Sequence, residues 1–328
     1  MDRQKRLNLI EEIEQERKTA LLCYVTGDRE NVSTRIAPDV IRIFFRHLEN
    51  LGPKPRIDLF LYTRGGDVLT PWRLVNLIRE YTEDFTVLVP FRCYSAGTLI
   101  CLGADQILMG KMGELGPIDP SVANAFNPDD PKNPQAKVPV SVEDVISYLG
   151  LAHERAGLEN PEHLVEVFTH LSEKVHPLAL GNVHRNYSLI RFIARRLLEL
   201  HSHNQPTAEI IDYLTEKLYA HNYMIPRREA KNEIGLNVIT PSPALEKLIW
   251  ELYKEYEKHL NLLEPLTANV AFPGGENSVD FEARGGVIES RDHLDTFVFE
   301  GQLLKAVTTE GEEKININMR HQSWRRME

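Results

Sequence analysis

Cysteine is scarce in this chain, whose 328 residues include only Cys23, Cys93 and Cys101. A small, odd number of cysteines in apolar surroundings excludes the disulfide framework on which many small secreted domains depend. The sequence therefore predicts buried free thiols and a location in the reducing cytoplasm.

Long apolar runs and excess positive charge are also lacking. No segment approaches the roughly 20 apolar residues of a membrane-spanning helix. Residues 1–6 lead into an acidic amphipathic helix rather than the apolar region of a secretory signal. The net charge of −10 argues against general nucleic-acid binding, which needs a basic face. We therefore expect neither an integral membrane segment nor a nucleic-acid partner.

Motifs for metals and nucleotides are missing as well. The chain has no His-Glu-x-x-His motif, no paired Cys-x-x-Cys, and no Walker or Gly-x-Gly-x-x-Gly pattern. The acidic segment 127–132 does not follow the EF-hand pattern. We therefore expect no metal and no cofactor.

Two turns rich in small residues are the most informative feature that is present. Residues 63–67, Thr-Arg-Gly-Gly-Asp, follow the strand-like run 57–62. Residues 93–98, Cys-Tyr-Ser-Ala-Gly-Thr, follow a second run, 85–90, and a helical pattern lies between the two turns. This order predicts a right-handed crossover in which both turns lie at the carboxyl ends of neighbouring parallel strands.

Ser95 is the candidate nucleophile, because it stands at a sharp turn from a strand into a helix. The backbone N–H groups of Gly66 and Ala96 can face a developing oxyanion, and Gly65 permits the turn. The plainer interpretation is that these small residues only satisfy turn geometry. Cys93 is an alternative nucleophile, but no His/Asn pattern accompanies it.

These motifs resemble the serine dehydrogenase proteinase family of the Clp protease/crotonase superfamily, which is related to signal peptide peptidase A and ClpP. The resemblance runs from about Asn8 to about Val238, and its motifs lie at 62–67, 94–98, 103–105, 113–120, 176–181 and 228–236. It implies a serine endopeptidase that works through an acyl-enzyme on polypeptides, with Ser95 as nucleophile and Gly65, Gly66 and Ala96 at the oxyanion hole. It also implies a homo-oligomer. Nothing in the sequence indicates an ATPase partner.

The general base is less clear from the sequence. No histidine lies between residues 48 and 152, so a ClpP-like histidine is missing from its expected place. Enzymes similar to signal peptide peptidase A use a lysine farther along the chain, and Lys137 lies 42 residues after Ser95. A Ser-Lys dyad is therefore favoured over Ser-His-Asp. His176, before a helix, is the alternative base or else a helix cap. Asp119 is interpreted as a turn cap, and the segment beginning at His221 lacks the carboxylate of a triad.

The predicted fold is α/β, with a ClpP/crotonase-like core in which a parallel-rich sheet of repeated ββα units is flanked by helices. Residues 1–240 form the peptidase domain, including a helical insertion at about 141–220. Residues 110–139 are predicted to be loop, because glycine, proline and aspartate dominate them. Residues 241–328 form a C-terminal helix and a β-rich extension.

Two other functions stay open at this point. A crotonase-like acyl-CoA enzyme would use the same oxyanion hole on a thioester. A catalytically inactive homologue would bind peptides or act as a scaffold, and the missing histidine favours it.

Overall fold

The structure is a computed structural model, and it describes residues 3–118, 121–122, 125–130, 133–138, 140–201, 206–218, 220, 222–267, 270–272, 276–307 and 313–327. These residues form two compact units. The first unit combines Met1–Leu115 with Ile225–Glu328, and the second is Gly116–Met224. Within the described residues, no helix has both the length and the apolar character that crossing a membrane requires.

The helices of the described chain are α1 (Arg3–Arg17), α2 (Val40–Leu51), α3 (Leu69–Arg79), α4 (Ala96–Leu102), α5 (Val142–Gly150), α6 (Pro161–Lys174), α7 (Pro177–Leu198), α8 (Thr207–Glu216), α9 (Arg227–Asn232) and α10 (Pro243–Leu260). A π-helical turn, Leu151–Arg155, continues α5.

The strands are β1 (Ala20–Thr26), β2 (Arg56–Tyr62), β3 (Asp84–Val89), β4 (Arg92–Cys93), β5 (Gln106–Met109), β6 (Glu114–Leu115), β7 (Ser121–Val122), β8 (Asp129–Asp130), β9 (Asn133–Lys137), β10 (Val140–Ser141), β11 (Ile225–Pro226), β12 (Val238–Ile239), β13 (Ser278–Glu289), β14 (Leu294–Val307) and β15 (Glu313–Met327).

An eight-stranded sheet organises the first unit, in the order β12-β5-β3-β2-β1-β13-β14-β15. The strands from β12 to β1 are parallel to one another. From β13 onward each strand is antiparallel to its neighbour. The predicted α/β class, with a parallel-rich sheet and a β-rich C-terminal region, is confirmed.

The parallel part of the sheet is covered on both faces, because its strands are apolar on both sides. Cys23 and Val25 of β1 belong to the same core cluster as α1 and α10. The ring of Tyr24, on the opposite face of the strand, lies 5.3 Å from that of Phe44 in α2. Since successive side chains of a strand point to opposite faces, α2 and α10 cover opposite sides of the sheet.

Polar side chains cap the first turns of α6 and α10. Asn160 Oδ1 accepts the Glu162 N–H at 3.0 Å, one residue before Pro161 opens α6. Ser242 Oγ accepts the Leu245 N–H at 3.1 Å before α10. In both cases proline occupies the first helical position, where its missing N–H costs nothing.

The second unit contains α5 to α8 and two short antiparallel pairs, β7 with β10 and β8 with β9. The prediction that 110–139 is entirely loop is therefore wrong. The strands there have two to five residues each, and beside the β8–β9 pair Asn127 Nδ2 donates to the Val138 carbonyl at 2.9 Å. Such pairs need no alternating apolar pattern, so a periodicity argument misses them.

The grouping into two units differs from the division expected from the sequence, 1–240 and 241–328. The physical reason is that β13 pairs with β1, for example Cys23 with Glu289. This pairing makes β13 to β15 part of the central sheet. The segment from β11 through α9 to β12 also returns to the first unit, where β12 pairs with β5.

Candidate active site

The two turns are joined by backbone hydrogen bonds. The Thr63 N–H donates to the Arg92 carbonyl at 2.9 Å, and the Tyr94 N–H donates to the Thr63 carbonyl at 3.0 Å. Thr63 and Cys93 thus form a parallel bridge beyond the end of β2. The predicted crossover therefore brings the Gly-Gly turn beside the turn that carries Ser95.

A third segment fixes the Gly-Gly turn. The Ile36 N–H donates to the Gly65 carbonyl at 2.9 Å, and the Asp67 N–H donates to the Ile36 carbonyl at 2.8 Å. A Cβ atom on Gly66 would lie 2.0 Å from the Ile36 carbonyl oxygen, so no other residue fits there. Sequence reasoning missed Ile36, because nothing in residues 33–37 marks a contact with a turn thirty residues later.

Ser95 has an unusual backbone. Its φ of 53° and ψ of −111° place it outside the regions that non-glycine residues favour, immediately before α4. Such a conformation costs on the order of 1–3 kcal/mol and persists only where the surroundings impose it. A sharp, strained turn between a strand and a helix exposes a serine hydroxyl, as in nucleophile elbows.

Gly65 lies directly against Ser95. A Cβ atom on Gly65 would lie 2.8 Å from Ser95 Cβ and 3.3 Å from Ser95 Oγ. Gly65 has a φ of 110°, in the region that favours glycine. The structure therefore brings Gly65, Gly66, Ser95 and Ala96 together, all within the first unit.

Two backbone donors at this place have no acceptor in the part of the chain that the structure describes. Among the hydrogen bonds of the described residues, none is donated by the N–H of Gly66 or of Ala96. The Gly65 N–H instead donates to Thr63 Oγ1 at 3.0 Å, and Thr63 Oγ1 also accepts from Thr26 Oγ1 at 2.7 Å. Thr63 thus holds the turn, while two amides beside Ser95 stay available to a ligand.

The small residues after Ser95 let α4 approach the first turn closely. A Cβ atom on Gly97 would lie 2.5 Å from Thr63 Cγ2 and 2.8 Å from Cys93 Sγ. Thr98 Oγ1 donates to the Cys93 carbonyl at 3.0 Å. Any larger side chain at 97 would push α4, and with it Ser95, away from the Gly-Gly turn.

The three cysteines are free and buried, as predicted. Cys93 Sγ lies 3.6 Å from Cys101 Sγ. Burial raises the pKa of the Cys93 thiol well above its usual value, and the neighbouring Cys101 adds to this effect. Since the thiolate is the nucleophilic form, Cys93 is a poor nucleophile compared with Ser95.

A polar network supports the second turn from its other side. Arg92 Nη1 donates to Asp28 Oδ2 at 2.9 Å, and the Tyr62 hydroxyl donates to Asp28 Oδ1 at 2.8 Å. The Tyr94 hydroxyl donates to the Glu114 carboxylate. Burial raises the pKa of Tyr94 to about 12, and the bond to Glu114 contributes. Tyr94 is therefore a hydrogen-bond donor at neutral pH rather than a base.

The two candidate bases lie in the second unit. Lys137 is exposed at the end of β9, where its Nζ lies 2.7 Å from Asp129 Oδ1. His176 caps α7, because its Nδ1 accepts the Leu178 N–H at 3.2 Å, and its ring stacks on Phe126 with centroids 5.0 Å apart. Asp119 and His221 lie outside the described residues.

Solved structures of proteases are similar to this chain at low identity. A serine-to-alanine mutant of the 1510-N membrane-bound stomatin-specific protease is 14% identical, with 62% of this chain and 72% of that chain covered and a TM-score of 0.35. ClpP1 from Listeria monocytogenes is 15% identical, with 74% and 98% covered and a TM-score of 0.35.

Two proteins of Methanocaldococcus jannaschii are similar in sequence. The uncharacterized protein MJ0137 is 28% identical over 204 residues, which are 62% of this chain and 60% of that protein. The uncharacterized protein MJ1495 is 27% identical over 126 residues, which are 36% of this chain and 42% of that protein. The chain therefore spans less than two thirds of the length of either relative.

A family model matches the region that contains both turns. Residues 2–156 match the family described as ClpP-like SDH-type serine proteinase. This is the family that the motifs around Gly66 and Ser95 resemble. Residues 2–156, a little less than half of the chain, are therefore similar to the ClpP-like SDH-type serine proteinases.

Proposed function

We propose that this protein is a serine peptidase in which Ser95 attacks the carbonyl carbon of a peptide bond. The observation that carries the proposal is the strained backbone of Ser95, with a φ of 53°, held against Gly65. Strain of this kind concentrates at functional sites. The match of residues 2–156 to a family of serine proteinases supports the same reaction class.

In the proposed reaction, Ser95 Oγ forms a bond to the carbonyl carbon while its proton passes to a base. The carbonyl electrons move to oxygen, and the N–H groups of Gly66 and Ala96 stabilise that oxyanion. The C–N bond then breaks, and the leaving amine takes the proton from the base. Water, deprotonated by the same base, hydrolyses the acyl-enzyme and releases Ser95.

Lys137 is the proposed base, and the proposal rests on the family resemblance and on its position in the sequence. Lys137 Nζ lies 2.7 Å from Asp129 Oδ1, and this contact occupies the group that would have to bond to Ser95 Oγ. Lys137 must therefore exchange Asp129 for the serine hydroxyl in order to act. His176 remains the alternative base.

Labelling by a fluorophosphonate, read by intact mass, tests this proposal. Wild type should gain one adduct, and Ser95→Ala should gain none. Loss of labelling in Lys137→Ala but not in His176→Ala supports the dyad, and the reverse supports His176. Cys93→Ala is the control and should be labelled like wild type.

Absence of labelling in the wild-type protein would contradict the proposal that the protein is a serine peptidase. An acyl-CoA that then raised the melting temperature would favour the acyl-CoA enzyme. Binding of peptides without turnover would favour an inactive homologue. Assembly into a homo-oligomer stays a prediction, which sedimentation velocity of the purified chain checks.

A further inference from the structure

A large groove in the first unit is lined in part by Arg35 and Ala37, the neighbours of Ile36. Its walls are residues 33–39, the exposed side of α2, and parts of β14 and β15, and its volume is about 1130 Å³. We call it the arginine–aromatic groove, after Arg35, Arg42, Arg46, Phe45, Phe297 and Trp324, which line it. Its volume exceeds that of a typical small-molecule pocket, about 300–1,000 Å³, and suits a segment of polypeptide.

The aromatic wall of the groove is built on the C-terminal strands. Phe297 of β14 and Trp324 of β15 are cross-strand partners, with ring centroids 5.4 Å apart. Gly285 lets Phe299 and Thr34, which also line the groove, pack against its backbone, since a Cβ atom there would lie 2.2 Å from the Phe299 ring and 2.7 Å from Thr34 Cγ2. The aromatic rings thus offer a fixed apolar surface to a ligand.

On the opposite wall, Phe45 projects from α2 and is 47% exposed. It stands between two arginines of the same helix, Arg42 and Arg46, one turn apart. An exposed phenylalanine flanked by arginines is typical of a binding surface.

The charge of the groove is positive although the chain carries −10 overall. Arg46 pairs with Asp295 at 2.8 Å. Arg35 and Arg42 are exposed and form no ion pair with any described residue. Asp39 also lines the groove, and it is the one acidic residue among the described residues that line it. Two guanidinium groups are therefore available for planar carboxylates, which arginine binds with two parallel hydrogen bonds.

Residues that line the groove flank the residue that holds the Gly-Gly turn of the candidate active site. Arg35 is adjacent in sequence to Ile36, whose N–H and carbonyl hold the Gly65 carbonyl and the Asp67 N–H. A polypeptide bound along residues 33–37 would therefore lie next to the segment that holds the Gly-Gly turn.

We propose that the arginine–aromatic groove binds an acidic polypeptide segment that carries aromatic or aliphatic side chains, and that it selects such segments as substrates. The proposal rests on the proposed function, because it assigns the groove to the substrate of that peptidase. Carboxylates of the segment pair with Arg35 and Arg42, and its apolar side chains pack on Phe45, Phe297 and Trp324. A polynucleotide is disfavoured, since the acidic chain would repel a long polyanion.

Fluorescence anisotropy of a labelled peptide on full-length Ser95→Ala protein tests the proposal without cleavage. The probe is a short peptide of alternating Asp or Glu and Phe or Leu, and its control has Asn and Gln at the acidic positions. We expect the acidic peptide to bind at least about tenfold more tightly than its control, with an affinity that falls as salt rises.

Variants assign that preference to the groove. Arg35→Gln combined with Arg42→Gln should remove the preference for the acidic peptide. Arg73→Gln, which changes an exposed arginine of α3 outside the groove, should keep it. In the wild-type background the double variant should raise KM for the acidic peptide and leave kcat unchanged.

Several outcomes would overturn the proposal. These are equal binding of both peptides, a preference that survives the double variant, tighter binding of a single-stranded oligonucleotide that displaces the peptide, or a groove occupied by a second copy. The last would appear as a change of sedimentation coefficient in the double variant. Arginine-dependent binding without fluorophosphonate labelling would refute the peptidase and keep the groove. Labelling without a preference for acidic peptides would support the peptidase and refute the role of the groove.

Discussion

At the scale of single residues, the backbone of Ser95 gives a direct test of stored strain. Its positive φ of 53° is costly for serine and for alanine but not for glycine. We therefore expect Ser95→Gly to unfold in urea with a free energy about 1 kcal/mol higher than Ser95→Ala. Both variants should lose fluorophosphonate labelling.

Comparing the two variants separates strain from function, since both lack the hydroxyl. Should Ser95→Gly be less stable than Ser95→Ala, the turn would not be strained, and the main observation behind the proposed nucleophile would fail. Gly97→Ala is a useful second control, because its Cβ would lie 2.5 Å from Thr63 Cγ2 and should destabilise the protein.

His259 on α10 gives the pH dependence of stability. Burial lowers its pKa from 6.5 to about 3, and the positive charges of Arg6 and Arg284 add to the effect. The folded protein therefore keeps His259 neutral at pH 5, while the unfolded chain binds a proton below about pH 6.5. The free energy of unfolding should fall as the pH drops from 6.5 towards 3, by up to about 1.4 kcal/mol per pH unit from this residue.

Urea unfolding of wild type and His259→Gln between pH 7 and pH 4 measures this contribution. As the pH falls, the free energy of unfolding of the variant should decrease less steeply than that of wild type. The difference between the two slopes should correspond to the uptake of at most one proton. If the free energy of unfolding depended on pH in the same way for both proteins, His259 would be protonated equally in the folded and unfolded states. That result would contradict its burial beside Arg284.

The sequence predicts the single residues of the site unevenly. Gly65, Gly66 and Ser95 are recognisable because a turn that needs glycine and a serine that opens a helix leave a local pattern. Ile36 and Thr26 leave none, although both bind the Gly-Gly turn, because their contacts span some thirty residues of chain. The distance between Ser95 and a base is likewise a tertiary property that no spacing fixes.

At the scale of helices and strands, a buried ion pair connects the first helix to the sheet. Arg6 Nε in α1 donates to Glu289 Oε2 in β13 at 2.7 Å, and both side chains are almost fully buried. The Tyr256 hydroxyl of α10 donates to the same carboxylate at 2.9 Å. One carboxylate thus ties three elements together.

We expect Arg6→Met to lower the free energy of unfolding by about 3–5 kcal/mol, because it removes the buried cation that pairs with the buried Glu289 at 2.7 Å and leaves the partly exposed Arg3 at 3.4 Å. Adding Glu289→Gln should restore part of that loss. Arg291→Met is the matched control, since Arg291 pairs with Glu11 at 3.3 Å on the surface and should cost less than about 1 kcal/mol. Similar costs for Arg6→Met and Arg291→Met would mean that water reaches Glu289.

Elements with strong periodicity are predictable here, and short ones are not. The helices at α2, α7 and α10 follow from apolar positions at helical spacing. The two-residue strands β6 to β8 do not, because two residues contain no period. The pairing of β13 with β1 also escapes prediction, since a strand run does not specify its partner.

At the scale of the whole molecule, the second unit is an insertion into the first. The first unit is made of Met1–Leu115 and Ile225–Glu328. Leu115 and Ile225, where the chain leaves and re-enters this unit, are paired in neighbouring antiparallel strands, β6 and β11. Since paired residues of this kind lie about 5 Å apart, a short linker can join them.

We therefore expect a chain in which a short Gly-Ser linker replaces Gly116–Met224 to keep the first unit folded, with one cooperative urea transition. It retains Ser95, Gly66 and Ala96 but lacks both candidate bases, Lys137 and His176. Fluorophosphonate labelling should therefore be lost although the fold is kept, which circular dichroism and unfolding verify. Labelling at the wild-type rate would place the base within the first unit and refute the Ser-Lys dyad. An unfolded product would show instead that the central sheet needs the insertion to fold.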